Sequence, residues 1–534
     1  PHDQTRRQRQ MCIRDSFNYN KKTSGYFMTH KNNIKDLEKL SFKIEEMGGS
    51  EKLKVRKKAG YLNARERIDL FFDKGTFFEI GKFVTSSNIH DKDKTPADGK
   101  ITGYGKVSNR RVAAISNDLT VKGASSSEMN TKKISFIKKS AEKLGLPIVF
   151  FGESSGARMP DIMGAKGMSQ AGQDNTQYIR TRKVPWVSAI LGPCYGSSAW
   201  YSVLSDFVVM RRGSVLAVSS PKVLSLATNE TIDPEELGGW EMHSQITGIA
   251  DRVVDTDHEA ISLMQSFLSY LPSNNNEIPP QKKVTENSLK KIDEILSVIP
   301  ENPKRTYDMR EVINLIADED TAFPMKHDFA KSAVTELARL NGKTVGFIGS
   351  NPKFNGGAMD PNACDKITSF LVFCDSFNIP IIILVDTPGF LIGVEGEKQK
   401  APGKIMNFMT ALQLCSVPKI SVILRKSYGQ AYLNMGGGSN SDLVIAWPSA
   451  EVSFISPELG VWVVNNKKIQ DNDPNYNNYL KKMTYDNSAL ELARSFGIQD
   501  IIDPRNTRQY LINALETFDK KIAKHNMSNW PTTF

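Results

Sequence analysis

Two hydrophobic patterns alternate along the chain. Largely apolar runs of strand length occur at 146–151, 184–191, 379–385 and 417–424, interrupted only by Ser188 in the second and by Lys419 and Ser421 in the fourth; the densest is Ile381-Ile382-Ile383-Leu384-Val385. Such runs, without polar alternation, suit strands covered on both faces, as in a parallel sheet. Between them, apolar residues recur at helical spacing. Ile134, Ile137, Ala141 and Leu144 precede the first run, and Ile367, Phe370, Leu371, Cys374 and Phe377 precede the third. Strand, helix and strand in series predict crossover units and an α/β fold. Upstream, Ile34, Leu37, Leu40, Ile44 and Met47 predict an amphipathic helix over 33–47. A second helix is expected over 62–71, a short strand over 77–80, and a helix around 312–316. Residues 488–521 read as packing helices and a strand.

Each apolar run leads into a glycine-bearing turn. The four are Gly152-Glu153-Ser154-Ser155-Gly156-Ala157-Arg158, Gly192-Pro193-Cys194-Tyr195-Gly196-Ser197, Asp386-Thr387-Pro388-Gly389-Phe390 and Arg425-Lys426-Ser427-Tyr428-Gly429-Gln430-Ala431-Tyr432. They stand in register. Pro147 and Pro380 are 233 residues apart (380 − 147), as are Gly156 and Gly389, Pro185 and Pro418, Gly196 and Gly429, and Lys133 and Lys366. Further out the register slips. Ser220-Pro221 matches Ser456-Pro457 at 236, and Gly99-Lys100 matches Gly342-Lys343 at 243. So long a period indicates a duplicated domain rather than a solenoid. We expect an N-terminal domain over 28–285, with its added helices, and a C-terminal domain over 286–534. The Pro- and Asn-rich stretch 272–281 reads as a linker, and the second copy begins near Arg305. A chain of 534 residues accommodates two such cores.

Composition adds limits. The apolar runs fall far short of the ~20 residues that span a bilayer. None of the five cysteines, Cys12, Cys194, Cys364, Cys374 and Cys415, forms C-x-x-C, which argues against a zinc ribbon. They read as buried thiols of a reducing compartment, so a cytoplasmic location is expected, with no metal, no membrane and no nucleic acid among the partners. Formal charge is +10, of which +4 sits in residues 1–27 (six Lys and Arg against two Asp). The remaining balance suits either a phosphorylated ligand such as a coenzyme or a solvated lysine-rich surface. The basic run 52–58 reads as such a surface. Residues 1–27 lack apolar periodicity and are expected to be a non-native or disordered tail, with Met28 the native start.

Three chemistries compete for the turns. Gly152-x-Ser154-x-Gly156 matches a nucleophile elbow, but the second copy has no serine there, and no downstream histidine (His243, His258, His327, His525) stands in a marked context. Asp386-x-Pro388-Gly389 suggests a GTPase switch, yet Leu337 stands where the phosphate loop needs glycine. What both copies share is a turn with glycine after a buried strand. Such turns either permit tight strand-to-helix packing or expose N–H donors that stabilise an enolate or oxyanion. Four matched turns favour the donors.

The chain resembles the carboxyltransferase (beta) subunits of biotin-dependent acyl-CoA carboxylases, the propionyl-CoA carboxylase group. The resemblance spans about 37–515. It rests on Thr102-Gly103-Tyr104-Gly105, Ser155-Gly156-Ala157-Arg158, Gly192-Pro193-Cys194, Glu235-Glu236-Leu237-Gly238-Gly239 with His243, Phe373-Cys374-Asp375, Val385-Asp386-x-Pro388-Gly389-Phe390-Leu391 and Arg425-Lys426-x-Tyr428-Gly429-x-Ala431-Tyr432. It implies two crotonase-like domains and a hexamer whose active sites pair the first domain of one subunit with the second domain of another. It also implies carboxyl transfer from carboxybiotin, carried on a biotin carboxylase/carrier (alpha) partner, to the α-carbon of an acyl-CoA, propionyl-CoA favoured. By the resemblance, the thioester oxygen sits in a hole at Gly196 and Ser197, helped by Gly156 and Ala157. The biotin oxygen sits in a second hole at Gln430 and Ala431, beside Gly429. Gly389, Phe390, Leu433, Arg158 and Tyr432 line the substrate and biotin pocket.

This chain departs from the family pattern in places. Gly196-Ser197 replaces Gly-Gly, Gln430 replaces a glycine, and Leu433 stands where propionyl enzymes often carry Asp. The acyl class is therefore open. No biotinyl-lysine Met-Lys-Met signal is present and no ATP-using domain is expected, so the chain reads as one subunit. The alternatives are the transferase subunit of a biotin-dependent acyl-CoA decarboxylase, a thioester hydrolase using Ser154, and an assembly subunit whose holes no longer bind.

Overall fold

The computed structural model describes residues 30–171, 174–284, 292–302, 304–467, 473–519 and 522–531. The expected tail 1–27, with Met28 and Cys12, and the expected domain boundary at 285–286 lie outside these residues. The chain divides at Met47/Gly48 into two compact units. The first contains helix α1 (His30–Glu45), which begins three residues before its expected start. The second holds everything that follows.

Two helices open the second unit. The basic run expected as a solvated face is helix α2 (Ser50–Lys58). Its Arg56 instead turns inward, and Nη2 lies 2.7 Å from Glu153 Oε2. Helix α3 (Ala64–Phe71) starts at a reciprocal cap: Asn63 accepts from the Glu66 N–H, and the Glu66 carboxylate accepts from the Asn63 N–H. It buries Arg67, Ile68 and Phe71.

Strands β1 (Phe78–Ile80), β2 (Lys100–Val107), β3 (Arg110–Asn117), β4 (Ile148–Ser154), β5 (Trp186–Tyr195), β6 (Phe207–Arg211), β7 (Val215–Ala217) and β8 (Arg252–Val254) form one sheet. Its order is β1-β2-β3-β4-β5-β6-β8, with β7 beside the end of β5. Strands β9 (Phe323–Pro324), β10 (Ala333–Leu340), β11 (Lys343–Ser350), β12 (Ile381–Thr387), β13 (Lys419–Tyr428), β14 (Leu443–Ala446), β15 (Glu451–Ser453) and β16 (Asp500–Ile501) form the other. It follows the same path, β9-β10-β11-β12-β13-β14-β16, with β15 beside β13. In each sheet an antiparallel hairpin leads into parallel strands.

Crossover helices α4 (Glu128–Leu144) and α5 (Pro361–Ser376) occupy matching places. α4 packs Ile134, Ile137 and Ala141 onto Ile115, Ile148 and Phe150, all fully or nearly fully buried. Each such aliphatic or aromatic side chain contributes about 1.5–3 kcal/mol on burial. The matched lysines are structural twins. Lys133 donates to the carbonyls of Ala97 and Lys100, and Lys366 to those of Phe329 and Ala333.

The strands run further than the apolar pattern suggests. Gly152, Gly192, Asp386 and Arg425 lie inside strands rather than in turns. Register slips between Gly152 and Ser154 and between Val385 and Thr387 absorb the irregularity. The end of β5 then exchanges β6 for β7, pairing Pro193 with Val215. Only Gly156, Gly196, Gly389 and Gly429 remain as turn glycines.

The two copies meet through aromatic rings. Phe267 stacks on Phe207 at 4.5 Å and on Phe373 at 5.7 Å. The expected linker is irregular but tied down. Asn378 donates to the carbonyls of Asn275 and Glu277, and the Lys282 N–H donates to the Gly342 carbonyl.

Candidate active site

Both candidate holes form where a long central strand ends. β5 stops at Tyr195, Gly196 takes φ 62 and ψ −132, and helix α6 (Ser197–Val203) begins at once. β13 stops at Tyr428, Gly429 takes φ 61 and ψ −149, and helix α7 (Gln430–Asn434) begins. That backbone region is open to glycine and almost nothing else. The first N–H groups of a helix have no intrahelical acceptor, so each strand-to-helix corner presents bare donors.

A second turn faces each corner. Gly156 (φ 99) and Gly389 (φ 127) are its glycines. A Cβ built on Gly196 would stand 3.7 Å from Gly156 Cα, and one on Gly389 3.7 Å from the Tyr428 carbonyl oxygen. The facing turns are thus close enough that side chains would close the gap. The supports repeat as well. The Gly156 N–H donates to Ser154 Oγ at 3.1 Å, and the Gly389 N–H to Thr387 Oγ1 at 3.2 Å. Ser126 bridges Ala157, its N–H donating to the Gly156 carbonyl and its carbonyl accepting from the Arg158 N–H, both at 2.8 Å. Met359 bridges Phe390 in the same way, with bonds of 3.1 and 2.8 Å.

Gly156, Ala157, Gly196 and Ser197 therefore come together, as do Gly389, Phe390, Gly429 and Gln430. A cavity of ≈ 140 Å³ lies at the first corner, lined by Ser126, Ala157, Met168, Tyr178, Gly196 and Ser197. At the second, the exposed Gln430 side chain bonds Asn434 Oδ1 along its own helix at 3.1 Å. Ala431 is buried in the first turn, and Leu433 is 37 % exposed. The Tyr432 hydroxyl accepts from the Gly438 N–H at 3.0 Å. Arg158 is buried, its guanidinium bonded to Asp98 at 2.5 Å and to Ser125, so it braces the turn from behind.

The nucleophile arrangement does not assemble. Ser154 is fully buried, and its hydroxyl bonds main-chain groups of Ala124 and Gly156. His243 uses Nε2 on the Leu216 carbonyl and Nδ1 on Thr247. Burial pushes the Cys194 thiol up to about 12, which keeps it a neutral packing group. Among the described residues no His, Cys, Asp and Glu group could hold a metal.

Two features escaped sequence reasoning. Ser126 Oγ lies 2.5 Å from Ser197 Oγ, across 71 residues of chain. Behind β4, Glu153 accepts from both Arg56 and the fully buried Arg67. Glu153 and Asp386 share the 233 spacing, which was visible in the sequence, but their partners were not.

With this geometry in hand, the comparisons are specific. A carboxyl transferase domain family matches residues 56–529. A propionyl-CoA carboxylase carboxyltransferase subunit of Haloferax mediterranei is 34 % identical over 505 residues, covering 92 % of this chain and 97 % of that protein. The methylmalonyl-CoA decarboxylase subunit alpha of Propionigenium modestum is 34 % identical over 501 residues, covering 92 % and 96 %. The crystal structure of the transcarboxylase 12S hexamer, with methylmalonyl-coenzyme A and methylmalonic acid bound, superposes with TM-score 0.87 at 33 % identity, covering 92 % of this chain and 96 % of that one.

Proposed function

The chain belongs to the carboxyl transferase domain family, and from that premise we propose that it moves a carboxyl group between carboxybiotin on a partner carrier protein and the α-carbon of an acyl-CoA, propionyl-CoA favoured. One observation carries the reading: two main-chain holes, alike in backbone and 233 residues apart, with no nucleophile or base assembled at either among the described residues.

Carboxybiotin supplies the carboxyl group. The chain's part is to bind oxygens on which charge develops. The α-proton would pass to the ureido nitrogen of biotin that has given up the carboxyl group, so no side-chain base is needed. At the first hole the Ser197 N–H, facing the Gly156-Ala157 turn, would hold the thioester oxygen of the enolate that then takes up the released carboxyl carbon. At the second, Gln430 and Ala431, beside Gly429 and facing Gly389 and Phe390, take the ureido oxygen of biotin. A Cβ on Gly429 would lie 3.3 Å from the Phe454 carbonyl, so this corner can sit against that loop only as glycine. Preorganised donors stabilise a developing oxyanion more than the neutral carbonyl, and that difference lowers the barrier.

Exposed apolar residues recur at matched positions beside both holes. Val218 pairs with Phe454 and Val223 with Leu459 by the 236 spacing, and Met159 pairs with Ile392 by 233. These faces support assembly into a hexamer in which the first copy of one chain covers the second copy of another. No helix among the described residues is long and apolar enough to cross a membrane, and a cytoplasmic location is part of the reading.

The test uses the full chain with free biotin and malonyl-CoA or methylmalonyl-CoA, following carboxylation of biotin and loss of each thioester. Transfer from one thioester and not the other is expected, and Ser154→Ala should keep it within a few-fold. Thioester hydrolysis abolished by Ser154→Ala would sink the reading. The decarboxylase reading stands second, because a decarboxylase subunit shares the same 34 % identity. A net direction set by coexpression with a membrane-bound decarboxylase partner would favour it.

A further inference from the structure

We propose that the Ser197 hydroxyl, oriented by Ser126, is a further donor at the first hole and acts on the thioester oxygen. The inference rests on the functional reading above and deepens it. The two Oγ atoms lie 2.5 Å apart, and both residues line the ≈ 140 Å³ cavity with Ala157 and Gly196. Ser126 is fixed by main-chain bonds on either side, to the Gly156 carbonyl and from the Arg158 N–H. Its hydroxyl is therefore held relative to the turn that faces the corner.

Two hydroxyls bring two protons, and the bond between them uses one. Among the described residues neither hydroxyl has another partner, so the second proton is left for a ligand oxygen. Ser197 already offers its N–H to the same cleft. An oxygen accepting from that N–H stands within reach of the side chain on the same residue. A hydroxyl aimed there strengthens its bond as the carbonyl becomes an enolate, because bonds to charged acceptors are roughly twice as strong as neutral ones.

The second copy supplies the control. The repeat places Met359 where Ser126 stands and Gln430 where Ser197 stands. Met359 has no donor, and the Gln430 amide is turned to Asn434. The two holes thus share a main chain and differ by one hydroxyl pair, found only on the side assigned to the acyl group.

The experiment compares wild type with Ser197→Ala, Ser197→Gly, Ser197→Thr and Ser126→Ala in the assembled full chain. It measures kcat and KM for transfer from methylmalonyl-CoA or malonyl-CoA to free biotin, with the thermal midpoint of each variant. Removal of the Ser197 hydroxyl is expected to lower kcat about tenfold or more while KM stays within about twofold, since the bond tightens only as charge develops. Ser126→Ala should cost less, and Ser197→Thr should recover most of the rate. Unchanged kcat in both Ser197→Ala and Ser197→Gly would overturn the proposal, as would losses that follow the thermal midpoint alone. Failure of the wild type to transfer at all overturns the functional reading and this inference together. Transfer by the wild type with indifferent variants overturns only the hydroxyl.

Discussion

The two copies build the same backbone corner and neutralise the acid behind it differently. Glu153 on β4 and Asp386 on β12 occupy one repeat position, both buried. Asp386 is met from the neighbouring strand, by Arg425 at 2.7 Å, with Lys426 at 3.7 Å. In the first copy the place of Arg425 is taken by Gly192, where a Cβ would stand 2.4 Å from Glu153 Oε1. The cations come instead from outside the repeat. Arg56 of α2 reaches Glu153 at 2.7 Å and Arg67 of α3 at 2.6 Å, with Arg67 continuing to Asp257 at 3.0 Å. Backbone geometry at the corner is common to both copies, whereas the charge behind it is interchangeable in origin. The added N-terminal helices serve the first copy as a second layer of its sheet.

The corners themselves give the largest expected effect. Gly196→Val or Gly429→Val forces a branched side chain onto φ near +60 and fills the cleft, so each should lower the transfer rate by about 10²–10³, the range for loss of one oxyanion donor. Comparable losses in steady-state assays would confirm equivalence, and a near-normal rate in either variant would break it.

Stability sharpens the comparison next. Glu153→Ala strands two guanidinium groups, one of them fully buried, and should cost about 3–5 kcal/mol in urea unfolding. Asp386→Ala strands chiefly Arg425 and should cost less. The reverse order would mean that the imported cations matter little.

The smallest effect concerns pH. Burial pulls Lys100 down to about 7 and, with nearby cations, Lys366 to about 7, against about 10.4 for an unfolded lysine. Between those values the unfolded chain binds more protons, so unfolding free energy should rise as pH climbs from about 7 to 10. The structure corrects the 243 match: Lys100 opens β2 as Ala333 opens β10, and each gives its carbonyl to a twin lysine, so the counterpart of Lys100 is Ala333 and not Lys343. Lys100→Met should therefore flatten part of the rise and leave the part due to Lys366. A pH-independent midpoint over this range would contradict the assignment.

The duplication was legible because buried parallel strands carry dense apolar runs and because glycine is obligatory at the corners. Ser154 and Thr387 look unrelated as a nucleophile motif, yet they do one job, since each hydroxyl caps the N–H two residues on. The strands run past their apolar runs because Gly192 and Asp386 fall inside register shifts after which pairing resumes, at Pro193 and Thr387, and polar residues there mimic a turn. Arg56 was hidden in a basic run from which Lys52 also reaches inward, to the Thr120 carbonyl at 3.0 Å, and no spacing in the run sets these two apart from its solvated members. The Ser126–Ser197 pair could not be read at all, because it depends on the bridge between Ser126 and Ala157 that folding alone creates.

Donors that belong to the peptide bond exist at every position but proline, whatever the side chain. A duplicated gene encoding such a site can therefore drift widely in sequence while both halves stay in service, provided the corner glycines persist. Ser197 in one half and Gln430 in the other, at one repeat position, show that unlike side chains sit on a common backbone corner. It also bears on inhibition. Among the described residues, a reagent that hunts for an exposed thiol or for the Ser154 hydroxyl finds them buried. A compound that imitates the shape and charge of an enolate would be recognised by the fold itself.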